Sequence, residues 1–118
     1  MLPSSNRLRR SDDFQRAVRL GRRTGRRTVV LHLLLPAPGG GAAADPARVG
    51  FVVSKAVGGA VQRNKVHRRL RAVMAAQLAE LPAGSLAVVR ALPAASGASY
   101  DDLQADVTAG LRRLLDAR

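Results

Sequence analysis

The arrangement of this chain follows from residues 58–71, which read Gly58-Gly59-Ala60-Val61-Gln62-Arg63-Asn64-Lys65-Val66-His67-Arg68-Arg69-Leu70-Arg71. Apolar residues recur here and just beyond at spacings of three and four, which places them on one side of a helix: Val66, Leu70, Val73, Met74 and Leu78. A different side carries Asn64, Arg68 and Arg71, with Lys65 and Arg69 in a strip beside them. The stretch therefore predicts a helix that packs through one side and presents cations on another.

The cations of this helix face either solvent or a polyanion. Residues 63–71 hold five cations and no acid, so no ion pair within the stretch relieves their repulsion. A similar bias recurs between residues 7 and 27, where nine arginines lie. The two segments contain 14 of the 20 Lys and Arg residues, whereas the rest of the chain has six cations and six acids. Such concentration is typical of a binding surface and is not needed for solubility.

Length and charge narrow the class of protein. A chain of 118 residues predicts a single domain, residues 1–118. The formal charge is +12, and all but two of the 20 cations are arginines, whose planar side chains suit phosphates and bases. A pI near 11.9 is the electrostatic signature of a nucleic-acid-binding protein.

Several kinds of chemistry are excluded or disfavoured by composition. The chain has no Cys, so disulfides and thiolate sites are excluded, and two His without clustered carboxylates disfavour a zinc site. The sequence has no motif with paired carboxylates, and neither His stands beside an acid, so no set of side chains suits acid–base catalysis. We therefore predict no catalytic and no metal-ligating residues. No apolar run is long enough to span a membrane, and no hydrophobic core follows the amino terminus. We expect a cytoplasmic protein without a membrane partner.

The pattern along the chain predicts the order helix, strand, strand, helix, strand, helix, a small α/β sandwich with helices covering an aliphatic sheet. The basic stretch 22–27 is either a loop or a short edge strand. Ser11 is a candidate cap for the first helix, and Gly21 its end. The predicted elements are helix 12–20, strand 28–35, strand 48–54, the basic helix to about residue 80, strand 85–92 and a helix capped by Ser99.

Two features of the first strand and first helix leave alternatives open. Strand 28–35 is apolar on both faces apart from His32, so both faces should be covered, and a lone His there is more often structural than a ligand. Phe14 and Val18 lie one turn apart. They either pack on the sheet or form one wall of a groove.

Two motifs give the chain a family resemblance. Phe51-Val52-Val53-Ser54-Lys55, then Gly58 and the run from Ala60 to Arg71, closely resemble the signature of the protein subunit of bacterial ribonuclease P. The opening Asn6-Arg7-Leu8-Arg9-Arg10-Ser11-Asp12-Asp13-Phe14 is similar to that family's Arg-Leu pair followed by Asp-Phe. The resemblance covers nearly the whole chain, and the combination of motifs is specific.

The resemblance implies both a fold and an activity. The fold is α/β (an α+β sandwich), with a mixed sheet of about four strands in the order αβββαβα. The crossover through the basic helix would be left-handed, against the usual right-handed rule. The protein would bind a large catalytic RNA subunit and the 5′ leader of precursor tRNA, and assist endonucleolytic removal of that leader. Divalent metal (Mg) would act in the RNA, with no cofactor on the protein.

The resemblance also assigns residues by position. Those that would contact RNA are Lys55, Arg63, Asn64, Lys65, Arg68, Arg69 and Arg71. Those that would line a leader groove are Phe14, Val18, Val30 and His32. The family often has aromatic residues at the positions of Val18 and His32, and usually Lys or Arg at that of His67, so stacking of leader bases should be weaker here.

Two other functions share this composition. A structural RNA-binding protein of the ribosomal type would have the same charge, and the order of the motifs is what separates the two. A DNA regulator would need a recognition helix with base-reading residues and usually a dimer. Asn64 among arginines supports that poorly, so we predict no DNA partner.

Overall fold

The protein is described here by a computed structural model that covers residues 2–36 and 45–116. Within these residues the chain forms three α-helices and four strands, in the predicted order αβββαβα: α1 (Ser11–Leu20), β1 (Arg22–Gly25), β2 (Val29–Leu34), β3 (Arg48–Val52), α2 (Ala60–Gln77), β4 (Leu86–Ala91) and α3 (Tyr100–Asp116). The turn predicted between residues 36 and 46 falls mostly outside the described residues.

The four strands form one mixed sheet in the order β1-β2-β4-β3. β1 pairs antiparallel with β2, β2 antiparallel with β4, and β3 parallel with β4. The parallel pair β3 and β4 is joined through α2, so the basic helix is the crossover. Of the basic stretch 22–27, residues 22–25 form an edge strand and residues 26–27 lie beyond it, and the predicted mixed sheet is confirmed. The left-handed sense of the crossover stays a prediction.

Local chemistry explains where the helices begin and end. The prediction that Ser11 caps α1 is wrong: Ser11 is already helical, Arg10 occupies the cap position, and no side chain caps it. Gly21 ends α1 as expected, because a Cβ there would overlap the Ala17 carbonyl oxygen. Before α3, the Ser99 hydroxyl accepts a bond from the Asp102 N–H at 3.0 Å, and the Asp102 carboxylate accepts one from the Ser99 N–H at 3.3 Å. This reciprocal pair is a capping box.

Both faces of the sheet are covered, as the apolar pattern of β2 predicts. On one face α2 and α3 pack on Val29, Leu31 and Leu33 of β2. The buried residues of α2 are four of the five in the predicted stripe: Val66, Leu70, Val73 and Met74. On the other face α1 packs through Ala17 on Leu86 and Val88 of β4. Burying α2 in this way fixes which of its sides faces solvent.

Candidate nucleic-acid interface

The solvent side of α2 carries cations that no acid neutralises. Asn64 and Arg68 are exposed, Lys65 and Arg71 are partly exposed, and we call these four residues the cationic face. Within residues 2–36 and 45–116, no salt bridge involves a cation of α2. The acids that form salt bridges there pair with arginines of α1, β3 or the segment after β1: Asp13 with Arg16 and Arg48, Asp45 with Arg48, Asp102 with Arg27, and Asp106 with Arg26.

Two of the predicted RNA-contacting cations on α2 have side-chain groups directed into the fold, one of them with a hydrogen bond there. Arg69 donates from Nη1 to the Ala98 carbonyl at 2.9 Å, which links α2 to the segment before α3. Arg63 has a buried Nε that finds no hydrogen-bond partner in the described part of the chain. Lys55 is exposed in the turn after β3. RNA contact by these three residues stays a prediction, and the geometry separates Arg63 and Arg69 from the cationic face.

The amino-terminal cations are brought to α2 by a contact that the sequence did not reveal. Arg7 forms a parallel bridge with Val49, and the Leu8 N–H donates to the Val49 carbonyl at 2.9 Å. Asn6 donates from Nδ2 to the Ala47 carbonyl at 2.7 Å. Residues 6–8 therefore lie along the outer edge of β3, with Arg7 beside His67 and Arg71 of α2.

A cavity of about 400 Å³ opens at this edge, between the amino-terminal segment, α1, β3 and α2. We call it the edge cavity. The Phe51 and His67 rings meet edge to face in its wall, with centroids 5.3 Å apart and planes at 65°. The Phe14 ring lies so close over Gly50 that a Cβ there would overlap it. The charged and aromatic side chains in the lining are Arg7, Arg9, Phe14, Phe51, His67 and Arg71.

His67 behaves as an aromatic ring in this cavity. Burial lowers the pKa of His67 below 6.5, and the charges of Arg71 and Arg7 lower it further. The ring is therefore mainly neutral at pH 7. His67 departs from the Lys or Arg that is usual in the family, and the sequence alone predicts no role for it. Its spacing of four residues from Arg71 is the signal that places both on one side of α2.

Comparison with known sequences identifies the family. A sequence model of the family described as Ribonuclease P matches residues 2–115. The chain belongs to the ribonuclease P protein family. The "Ribonuclease P protein component" of Streptomyces avermitilis is 58% identical over 118 residues, covering 98% of this chain and 96% of that protein. The component of Streptomyces bikiniensis is 56% identical over 118 residues, with the same coverage.

Solved structures of ribonuclease P proteins have the same fold. The Staphylococcus aureus protein superimposes with a TM-score of 0.76 at 26% identity, covering 91% of this chain and 93% of that one. The Thermotoga maritima protein gives 0.72 at 22% identity, covering 95% and 97%. The resemblance inferred from the motifs is thus confirmed, and so is the α+β fold with a four-stranded mixed sheet.

The residues that the ribonuclease P resemblance assigns to a leader groove do not share one environment. Phe14 lines the edge cavity, and Val18, Val30 and His32 lie outside its lining. Val18 is 38% exposed, whereas Val30 and His32 are 7% and 5% exposed on the sheet face that α1 covers. Their contact with a leader stays a prediction.

Two exposed arginines next to these residues were missed by the sequence analysis. Arg23 lies opposite His32 in the β1–β2 register, and Arg90 lies opposite Val30 in the β2–β4 register. Burial, then Arg90, then Arg23 lower the pKa of His32 below 6.5. Its Nδ1 is buried with no partner among the described residues. Register between strands, which brings these cations together, is not visible in a one-dimensional pattern.

Within the described ranges, no group of three or more His, Asp or Glu side chains is arranged to hold a metal ion. Nor does any helix in those ranges have both the length and the apolar character to cross a bilayer.

Proposed function

We propose that this protein is the protein component of a ribonuclease P ribonucleoprotein that removes the 5′ leader from precursor tRNA. It binds the RNA subunit through the cationic face, with Lys55 nearby. One observation carries this proposal: α2 presents cations on the side opposite its buried stripe, and no salt bridge in the described residues neutralises them. A phosphate backbone is the polyanion that such a surface fits.

The precursor leader would lie on the α1 side of the sheet. The family resemblance points to Phe14, Val18, Val30 and His32, of which Val18 offers the most exposed surface. The exposed Arg23 and Arg90 border the same sheet face and would hold leader phosphates. Because the rings expected at two of these positions are replaced by Val18 and His32, we expect contact through phosphates to outweigh stacking of bases.

We assign the hydrolytic chemistry to the RNA subunit, where divalent metal (Mg) would act. The charged neighbours that lower the pKa of both histidines are arginines. A histidine that acts as a general base is usually oriented by a carboxylate, which an arginine does not replace. The role of the protein is to neutralise phosphates where two RNAs meet. Lower local repulsion strengthens metal binding at a site that the RNAs share.

The proposed partners are the ribonuclease P RNA subunit and precursor tRNA, without DNA or membrane. We place the complex in the cytoplasm, where precursor tRNA is available in a bacterium. With about five to eight phosphate contacts, affinity for RNA should fall by orders of magnitude over a fourfold rise in salt.

Reconstituted cleavage tests this function. Precursor tRNA is incubated with the protein, with the RNA subunit, or with both, at low magnesium. We expect cleavage at the mature 5′ end in the combined reaction, little with RNA alone, and none with protein alone. Metal-dependent cleavage by the purified protein alone would overturn the assignment of chemistry to the RNA.

A further inference from the structure

We propose that the edge cavity is a binding site for one unpaired RNA nucleotide, with the base against the aromatic side chains and the phosphate against the arginines. The inference rests on the proposed RNA-binding function and adds a base-binding subsite to it. This subsite lies at the β3 edge, beside α2, and shares just Phe14 with the predicted leader groove.

The aromatic content of the cavity wall is high for this chain. The sequence has only two Phe residues, and both of them line this one cavity, together with His67. Phe14, Phe51 and His67 are each partly exposed, so their rings present surface to the cavity. A base stacked on such a ring gains on the order of 10- to 100-fold in affinity, largely independent of base identity.

The arginines converge on the cavity from two parts of the chain. Arg7 comes from the segment along β3, and Arg71 comes from α2. Neither side chain has a hydrogen-bond or ion-pair partner among the described residues, whereas Arg9 donates to the Ser4 hydroxyl at 2.6 Å. Guanidinium groups brought together without an acid repel each other, and a phosphate between them relieves that repulsion.

The edge of β3 adds main-chain groups to the site. The Leu8 N–H bonds the Val49 carbonyl, so the peptide groups of Val49 face the outer edge of the sheet. Along a strand, the peptide groups of residues two apart point to the same side, so those of Phe51 point the same way as those of Val49. β4 pairs with the other side of β3. The N–H and C=O of Phe51 therefore face the cavity, where they can donate to and accept from a base.

The size of the cavity fits the proposed occupant. At about 400 Å³ it is in the lower part of the range for small-ligand sites, roughly 300 to 1,000 Å³, which suits one nucleotide. A nucleotide held there would touch the amino-terminal arginines and the helix arginine together. It would thereby join the two cationic segments of the chain on one RNA strand.

The test compares two probes on the full-length chain: a single-stranded hexaribonucleotide containing all four bases, and an abasic strand of the same length and charge. We expect wild-type protein to prefer the base-bearing strand by about 10-fold or more. Phe51→Leu, which keeps an apolar side chain, should abolish most of that preference. Tyr100→Leu, which removes an aromatic ring outside the cavity, should leave it unchanged.

A second measurement does not depend on any variant folding. Uridine monophosphate and inorganic phosphate are each titrated into wild-type protein while backbone amide resonances are followed. We expect the Phe51 and His67 amides to shift with the nucleotide well beyond their response to phosphate. Equal binding of both hexamers, or equal shifts with both small probes, would overturn the base site and leave the cationic face intact. Binding of neither hexamer would also overturn the base site, and the reconstituted cleavage reaction then decides the proposed RNA-binding function separately.

Discussion

Gly50 shows how a single atom matters for the wall of the edge cavity. A Cβ at this position would overlap the Phe14 ring, so Gly50→Ala forces α1 or the ring to move. We expect the free energy of unfolding to drop by about 1–3 kcal/mol, as for other overpacked sites. Urea denaturation followed by circular dichroism measures it.

Gly25→Ala is the matched control, since it is also a strand glycine and a Cβ there meets nothing within 4 Å. It should change stability by less than about 1 kcal/mol, and in the stabilising direction. Equal destabilisation by both substitutions would show that the close approach of Phe14 is not what requires a glycine at residue 50.

His32 gives the fold a pH dependence of defined sign. Its pKa is lowered below 6.5 in the folded state by burial and by Arg90 and Arg23. The unfolded chain therefore takes up the proton first, and the stability that His32 contributes is lost as the pH falls through and below 6.5. We expect the urea midpoint to be lower at pH 5.5 than at pH 7.5, and His32→Phe to reduce that difference.

The same pH comparison needs His67 as a reference, because its pKa is lowered in the same direction. His67→Phe should remove a further part of the dependence, and the double variant should be nearly flat across this range. If His32→Phe leaves the decline unchanged, His32 is not the titrating group.

At the scale of elements, two adjacent arginines of α2 are expected to have different roles, Arg68 in RNA binding and Arg69 in stability. Arg68 is exposed and has no hydrogen-bond or ion-pair partner among the described residues, whereas Arg69 donates to the Ala98 carbonyl. We expect Arg68→Ala to weaken RNA subunit binding and lower the salt slope by about one. Its effect on unfolding should stay within about 0.5 kcal/mol.

Arg69→Ala is the partner experiment on the same helix. Loss of the bond to Ala98 should lower the free energy of unfolding by roughly 1–2 kcal/mol, with a smaller change in salt slope than Arg68→Ala. Binding is measured by filter retention at several salt concentrations, and stability by urea titration. The opposite pattern would mean that Arg69, and not Arg68, meets the RNA.

The helix was predictable because its periodicity is local. The stripe from Val66 to Met74 repeats at helical spacing, so the side left for the cations follows directly. The resemblance assigned Arg69 to RNA by position, and its bond to Ala98, 29 residues away in sequence, is a contact that a local pattern does not show. For residues 22–27 the sequence predicts either a loop or a short edge strand, because so short a segment rich in Arg has no clear alternation. Pairing with β2 is what makes residues 22–25 a strand.

The edge cavity could not be predicted from the same information. It depends on residues 6–8 lying along β3 and on α2 returning beside them, which are contacts between distant segments. The resemblance assigned Phe14, Val18, Val30 and His32 to one groove by position. Burial then distinguishes the exposed Val18 from Val30 and His32, and burial depends on how closely α1 packs on the sheet.

At the scale of the whole molecule, the placement of acids divides the cations into two populations. The described salt bridges occupy arginines of α1, β3 and the segment after β1, and leave the cationic face unpaired. The molecule measures 42 × 26 × 24 Å, several times the screening length of about 8 Å at physiological salt. Acids farther than about 8 Å from α2 therefore do little to weaken the field at the cationic face.

This division predicts that two variants with the same change in net charge differ in the salt dependence of their binding to the RNA subunit. The triple variant Lys65→Gln, Arg68→Gln and Arg71→Gln removes three unpaired cations, and should reduce the salt slope of RNA subunit binding by about two to three. The control Arg16→Gln, Arg26→Gln and Arg27→Gln removes three cations that already have acidic partners at 3.6–3.9 Å. Its slope should change by less than about one, because those charges are already partly compensated. Equal slopes for the two variants would mean that RNA responds to the total charge of +12 and not to its placement on α2.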